Sequence, residues 1–268
     1  MYLDNFKLPI EKEDNLIRER MIHNGGLHGY IDNLHPCGLF SAKRLYEINF
    51  DTITVFYGEN GSGKSTLLNL IANKLRLHRV APLNSSELFD SYTRECAYSL
   101  GYDDGGQKCR IPAGSSIITS DDVFDYMLAV RTNNQDIAEN MEEAREEWAG
   151  LKFGETIKFS GLEDYEKIRL QVLARRKSLT RRQFIKKTAG EEVKLGSNGE
   201  TAFEYFDSRL KNDTLYCLDE PENSLSPGFQ LALAELIAKM ARFCGCQFIL
   251  ATHSPFFLSL SGARIYDL

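Results

Sequence analysis

The sequence predicts an α/β fold: a mainly parallel sheet flanked by helices, with an antiparallel β element and a helical insert. Three observations carry this. A β-type run at 52–57 leads through a glycine loop into a helical run at 66–75. Two further runs, 214–218 and 247–251, are almost wholly apolar, as strands buried on both faces of a parallel sheet are. Between these groups the chain turns charged and helical over 120–195. The expectation is one domain over 1–268, with its core at 1–119 and 196–268 and the insert at 120–195.

Composition sets the limits. The 268 residues are 43% hydrophobic and 26% charged, which suits an ordinary globular chain with a sizeable core and excludes a disordered one. A net charge of −6 argues against a surface that binds nucleic acid throughout, but not against a local basic patch. No charged n-region with an apolar h-region opens the chain, and no apolar run reaches the roughly 18 residues of a membrane span. A cytoplasmic protein without membrane contact is expected. Cysteines 37, 96, 109, 217, 244 and 246 form no C-x-x-C pair, and Cys244-Gly245-Cys246 is too tight for the usual zinc spacings. Reduced, mostly buried thiols follow.

Residues 1–45 read as mixed: a charged opening segment, Glu11 to Arg20, and then a loop-rich stretch, with Gly25-Gly26 and His35-Pro36-Cys37-Gly38, of the kind that wraps a core edge. Over 45–50, Leu45, Glu47 and Asn49 alternate with Tyr46, Ile48 and Phe50, which predicts a strand paired with the one at 52–57. After the glycine loop, Leu67, Leu68, Ile71 and Leu75 give the helix one apolar face. The runs 95–102 and 108–112 flank Asp103-Asp104-Gly105-Gly106, a hairpin turn sequence. A short strand at 115–119 meets Ser120-Asp121-Asp122, which offers an N-cap to a helix carrying Phe124, Met127 and Leu128. Within the insert, 136–147 is acidic and 167–187 basic. The basic run is a solvated helix face or a surface for phosphate backbones or an acidic partner. Past Pro227-Gly228, Phe229, Leu233, Leu236, Ile237 and Met240 share a helix face, and 264–267 is a further strand. There is no internal repeat.

The chemistry sits at the ends of strands. Gly58-Glu59-Asn60-Gly61-Ser62-Gly63-Lys64-Ser65 has the form G-x-x-x-x-G-K-S between strand and helix, which makes it a P-loop. Its glycines let backbone N–H groups, with those of Glu59, Asn60, Ser62 and Thr66, turn around a polyphosphate at a positively polarised helix start. Lys64 is placed to reach the β- and γ-phosphates and Ser65 to hold Mg²⁺. The strand at 214–218 ends in Asp219-Glu220, a Walker B pair in which Asp219 supports Mg²⁺ and Glu220 acts as the base on water. Alone, the pair also reads as two carboxylates capping the turn at Pro221; beside a P-loop that reading loses weight. The strand at 247–251 ends in Thr252-His253-Ser254-Pro255, putting His253 where α/β sheets bind ligands. Its imidazole is a γ-phosphate contact or, more simply, a helix cap. Tyr46 and Tyr30 are candidates to stack on an adenine, against packing roles.

These motifs in this order resemble the ABC-type P-loop ATPases. GENGSGKST, LDEP-x-x-SLSP with its D-loop at 223–227, and Ala251-Thr252-His253-Ser254-Pro255 are similar to the soluble branch that holds SMC, RecF and AAA-family ATPases of bacterial genomes. The likeness is specific over about 45–80 and 195–268 and loose between. It implies a signature loop, filled by Leu195-Gly196-Ser197-Asn198-Gly199-Glu200, where Ser197 and Gly199 would bind the γ-phosphate held by a second copy. That in turn implies a head-to-tail homodimer closed on two ATP molecules with Mg²⁺. The family's Q-loop glutamine has no clear counterpart: Ser120, Asp121 or Asp122 stands there, and Gln107 is too early. A transporter subunit fits less well, and 66–214 is too short for a long coiled coil. No TOPRIM-like nuclease segment is expected after His253 within these residues. The implied activity is ATP hydrolysis that drives or regulates a partner protein, as in bacterial defence or toxin-linked systems. The alternatives are a repair-type clamp gripping DNA through Arg175, Arg176, Arg181 and Arg182, and an ATP-bound scaffold without turnover.

Overall fold

The computed structural model describes residues 1–23, 34–83, 85–103, 105–158, 164–176, 178–189 and 197–268. In chain order the first half runs β1 (Leu3–Lys7), α1 (Glu11–His23), α2 (Leu39–Ala42), β2 (Glu47–Asn49), β3 (Ile53–Tyr57), α3 (Lys64–Leu75), α4 (Glu87–Glu95), β4 (Ala97–Leu100) and β5 (Ser116–Thr119). It continues through α5 (Ser120–Phe153), α6 (Tyr165–Arg175), α7 (Arg181–Ala189), α8 (Asn198–Arg209), β6 (Leu215–Asp219), α9 (Pro227–Phe243), β7 (Gln247–Thr252), α10 (Pro255–Leu258) and β8 (Arg264–Asp267). A 3-10 turn at Pro221–Ser224 links β6 to α9. The chain divides into two units: Met1–Phe124 with Asn198–Leu268, and Asp125–Ser197.

In the first unit, five parallel strands lie in the order β5-β6-β7-β3-β8. Every residue of β7 is buried, as are the first four of β3 and of β6. Burial on both faces explains their unbroken apolar sequence. Leu67, Leu68, Leu70 and Ile71 are wholly buried where α3 packs on β6 and β7. Leu233, Ile237 and Met240 seat α9 against β7, and α10 packs on β3.

A second, antiparallel sheet has the order β2-β1-β4. Here the structure corrects the sequence reading. The run at 45–50 pairs with β1, Ile48 opposite Phe6, and not with the P-loop strand. Both edges of β3 are occupied, by β7 and β8, so no place was open beside it. β1, which the sequence reading did not single out, precedes the charged segment Glu11 to Arg20, and its Leu3 and Phe6 are fully buried. Gln247, 1% exposed, ties the sheets together. Its Oε1 accepts from the N–H groups of Tyr2 and Leu3 at 2.9 and 2.8 Å, while Nε2 donates to the carbonyls of Leu3 and Asp51 at 2.8 and 3.1 Å.

The hairpin expected over 95–112 contracts to one bridge, Tyr102 with Lys108, because β4 pairs with β1 instead. The cap of α5 also sits one residue earlier than read. Thr119 and Asp122 form a capping box: Asp122 Oδ2 accepts from Thr119 N and Oγ1 at 2.7 and 2.9 Å, and Asp122 N donates to Thr119 Oγ1 at 3.4 Å.

The second unit holds the remainder of α5 with α6 and α7, around Ala144, Trp148, Leu151, Ala174 and Phe184. Thr180 and Gln183 form the box that starts α7. Arg175 donates to Thr156 Oγ1 at 2.9 Å and to the Gly154 carbonyl at 2.7 Å, whereas Arg176, Arg181 and Arg182 are exposed. All six cysteines are free; Cys96, Cys217 and Cys246 are buried and the others half-buried. Among the described residues no helix is long and apolar enough to cross a membrane.

Candidate nucleotide site

Strand register brings the motifs to one edge of the sheet. Tyr57 pairs with Thr252 and Asp219 with Ala251, so the residues that follow, Gly58, His253 and Glu220, leave three neighbouring strands at the same carboxyl end. The loop between β3 and α3 then depends on its glycines. Gly63 has φ +99°, and a Cβ there would meet Leu39 Cδ2 at 3.0 Å. At Gly58 a Cβ would lie 2.7 Å from the Leu268 carbonyl oxygen.

Lys64, 3% exposed, folds back along this loop, and its Nζ donates to the carbonyls of Gly58 and Glu59 at 2.9 Å each. Ser62 Oγ is buried and has no hydrogen-bond partner among the described residues. Above the loop lies a cavity of about 360 Å³, lined by Asn60, Gly61, Gly63, Lys64, Ser65 and Thr66, by Glu220, and by His35 and Leu39. A buried cation and an orphaned hydroxyl at the start of a helix suit a polyphosphate.

Ser65 Oγ donates to Asp219 Oδ1 at 2.8 Å. Burial pushes the Asp219 carboxyl up to about 6; Glu220 and Glu222 add to the rise, while the Ser65 hydrogen bond and Lys64 oppose it. A divalent cation beside such a carboxylate would favour its charged form. The donor set fits magnesium, which takes most of its oxygens from phosphates and water and needs only one or two from protein. Among the described residues no three His, Cys, Asp or Glu side chains gather into a protein-only metal site.

Glu220 stands just past β6 in the left-handed region, φ 46° and ψ 53°, with its N–H held by the Ala251 carbonyl at 2.8 Å. A non-glycine residue there carries about 1–3 kcal/mol of strain, of the kind kept at functional sites. Asn223 Nδ2 donates to Glu220 Oε2 at 2.9 Å. His253 leaves β7 half-exposed, its Nδ1 3.1 Å from Glu222 Oε1.

Other candidates stand apart. Ser197 closes the second unit, and Gly199 lies in the first turn of α8 in the first; neither lines the cavity. A Cβ on Gly199 would meet the Phe229 ring at 2.7 Å, so this glycine also lets α8 approach α9. Leu195, Gly196 and Tyr30 lie outside the described residues, and Tyr46 does not line the cavity. Asp122 is taken up by its cap and by the Ala81 N–H at 2.8 Å, Asp121 is exposed, and Gln107 belongs to the turn at Asp103. Sequence reasoning missed His35, whose Nε2 is 3.0 Å from Thr66 Oγ1, and Leu39, because a loop seat over a distant segment leaves no periodic trace. It also passed over Glu222; an acidic residue two positions after Glu220 was the available signal.

The model of the family described as "AAA domain, putative AbiEii toxin, Type IV TA system" matches residues 187–259, which span the Walker B strand and His253. An SMC head bound to the C-winged helix domain of ScpA is 16% identical with a TM-score of 0.42, covering 83% of this chain and 89% of that one. The SMC head domain from Thermotoga maritima is 17% identical with a TM-score of 0.36, over 98% and 93% of the two chains. A bacterial ABC transporter cassette in dimeric form is 17% identical with a TM-score of 0.34, over 78% of each. No curated protein matches the chain. What the fold contributes locally is the alignment of loop amides, Ser65, Asp219 and Glu220 at one edge of the sheet.

Proposed function

We propose that the protein binds ATP and hydrolyses it. The observation that carries this is the Ser65–Asp219 hydrogen bond, which joins P-loop to Walker B beside a cavity that Ser65 and Glu220 line. Lys64 would exchange its loop carbonyls for phosphate oxygens. Ser65 and Asp219 would hold Mg²⁺, which supplies charge neutralisation at those oxygens. Glu220 takes the proton of the attacking water, with Asn223 fixing one carboxylate oxygen. His253 contacts the γ-phosphate through its exposed ring edge.

The same reading extends to assembly. Ser197 and Gly199 of a second copy complete the site in a head-to-tail dimer, and opening and closing of that dimer drives or regulates a partner protein in the cytoplasm. The family model matched here, described in terms of a toxin–antitoxin system, supports a toxin-linked or defence setting. The test is phosphate release with Glu220→Gln: turnover should fall about 10²- to 10⁴-fold while ATP affinity holds. Unchanged turnover would sink the assignment of the base. A second reading, DNA binding through the insert, rests on exposed Arg176, Arg181 and Arg182; Arg175 is already engaged with Thr156 and Gly154. Turnover that rises with DNA and loses that response with salt would favour it. A well-folded protein that binds ATP without any phosphate release would point instead to a scaffold.

A further inference from the structure

From the hydrogen bonds between the 3-10 turn and the end of β7, we infer that Glu222 is the positioning residue for His253. Glu220's left-handed backbone turns the chain at the end of β6, and the turn Pro221–Ser224 brings Glu222 to the carboxyl end of β7. There its side chain is 3% exposed, while that of His253 is 46% exposed. A single oxygen, Oε1, meets three groups of the β7 exit: Thr252 Oγ1 at 2.6 Å, His253 N at 2.8 Å and His253 Nδ1 at 3.1 Å. Thr252 Oγ1 in turn accepts the Ser254 N–H at 3.0 Å, and Ser254 Oγ donates to Gln230 Oε1 at 2.7 Å. Backbone and side chain of His253 are thus referred to one buried carboxylate.

Chemically, a carboxylate at Nδ1 accepts its proton and fixes the ring face. The proton position of a neutral imidazole then follows: Nδ1 carries it, and Nε2 is left pointing outward, free to accept from or, once protonated, donate to a phosphate–water system. Nothing in this requires Glu222 to touch substrate. Its other oxygen, Oε2, is buried with no hydrogen-bond partner among the described residues. Burying a half-satisfied carboxylate costs stability. What a carboxylate adds over an amide at this place is a charged acceptor, which holds the Nδ1 proton more strongly than a neutral oxygen does.

The inference rests on the ATPase reading of this site, and two measurements separate their fates. The first is a double-mutant cycle on kcat and on ATP affinity, using Glu222→Gln, His253→Ala and both together. By the 10- to 100-fold typical of groups that orient a functional histidine, Glu222→Gln should lower kcat by about that factor and leave ATP affinity unchanged. Added to His253→Ala it should do nothing more. A full additional loss in the double variant, or no loss in the single one, overturns the proposal. The second measurement is the ¹⁵N spectrum of the His253 ring in the wild-type protein, which needs neither turnover nor a folded variant. A proton on Nδ1 supports the inference, and a neutral ring protonated on Nε2 refutes it. If the protein shows no turnover, the ATPase reading fails by itself, and the ring spectrum still decides the role of Glu222.

Discussion

Cys37 and Cys96 are sulfur atoms that burial has made poor nucleophiles. Burial pushes both thiols up to about 12; the Asp14 side chain adds to the rise at Cys37, and Lys74 opposes it at Cys96. Burial raises Cys217 further still. Because only a thiolate attacks, and each of these stays protonated until the pH climbs towards its raised value, iodoacetamide at pH 8 should leave all three unmodified in the folded protein. Peptide mass mapping of the native and the urea-unfolded chain checks this; native labelling of Cys217 would contradict its place in β6. Fit of such a residue to its strand was legible in the sequence, since Cys217 lies in an apolar run. The raised thiol of Cys37 was not, because the Asp14 it faces comes from α1, which meets the same loop through the Gly38 N–H, 24 positions from Asp14.

Between elements, Gln247 bears more of the fold than its single letter suggests. Its amide answers four backbone groups, at Tyr2 and Leu3 at the start of β1 and at Asp51 on the approach to β3, and the side chain is buried. Gln247→Leu preserves approximate volume but strands those groups. A loss of about 2–4 kcal/mol is expected, at 1–3 kcal/mol for each buried group left unsatisfied and with partial relaxation. Urea unfolding should show the midpoint fall with little change in slope. Such ties explain where sequence reading worked and where it stopped. The strands at β3, β6 and β7 announce themselves because burial on both faces makes them continuously apolar. β1 reads Leu-Asp-Asn-Phe-Lys, interrupted by a register shift between Leu3 and Asn5, and its partners β2 and β4 are about forty to ninety positions away. No local period could reveal that pairing, and β2 was consequently assigned to the wrong neighbour.

For the molecule as a whole, the P-loop was readable residue by residue because its chemistry is contiguous, whereas the wall formed by His35 and Leu39 exists only after folding. The proposed assembly makes a prediction at this scale. With Mg-ATP, the Glu220→Gln protein should double its mass in light scattering, and Ser197→Arg in the same background should keep it monomeric. A monomer in both cases would remove the head-to-tail dimer. Binding should also raise the unfolding midpoint, by about 2.7 kcal/mol in stability at ATP one hundred times its dissociation constant. One contact sets how that binding proceeds. Lys64, with its ammonium on the Gly58 and Glu59 carbonyls, holds the loop in one shape, and under the proposed function that shape is the one that would receive phosphate. The ordering entropy of the loop would then be lost during folding and not at the encounter. Capture becomes an exchange of acceptors at one nitrogen, so its rate should follow ionic strength, as charge-steered encounters do, and show no slow unimolecular phase at saturating nucleotide.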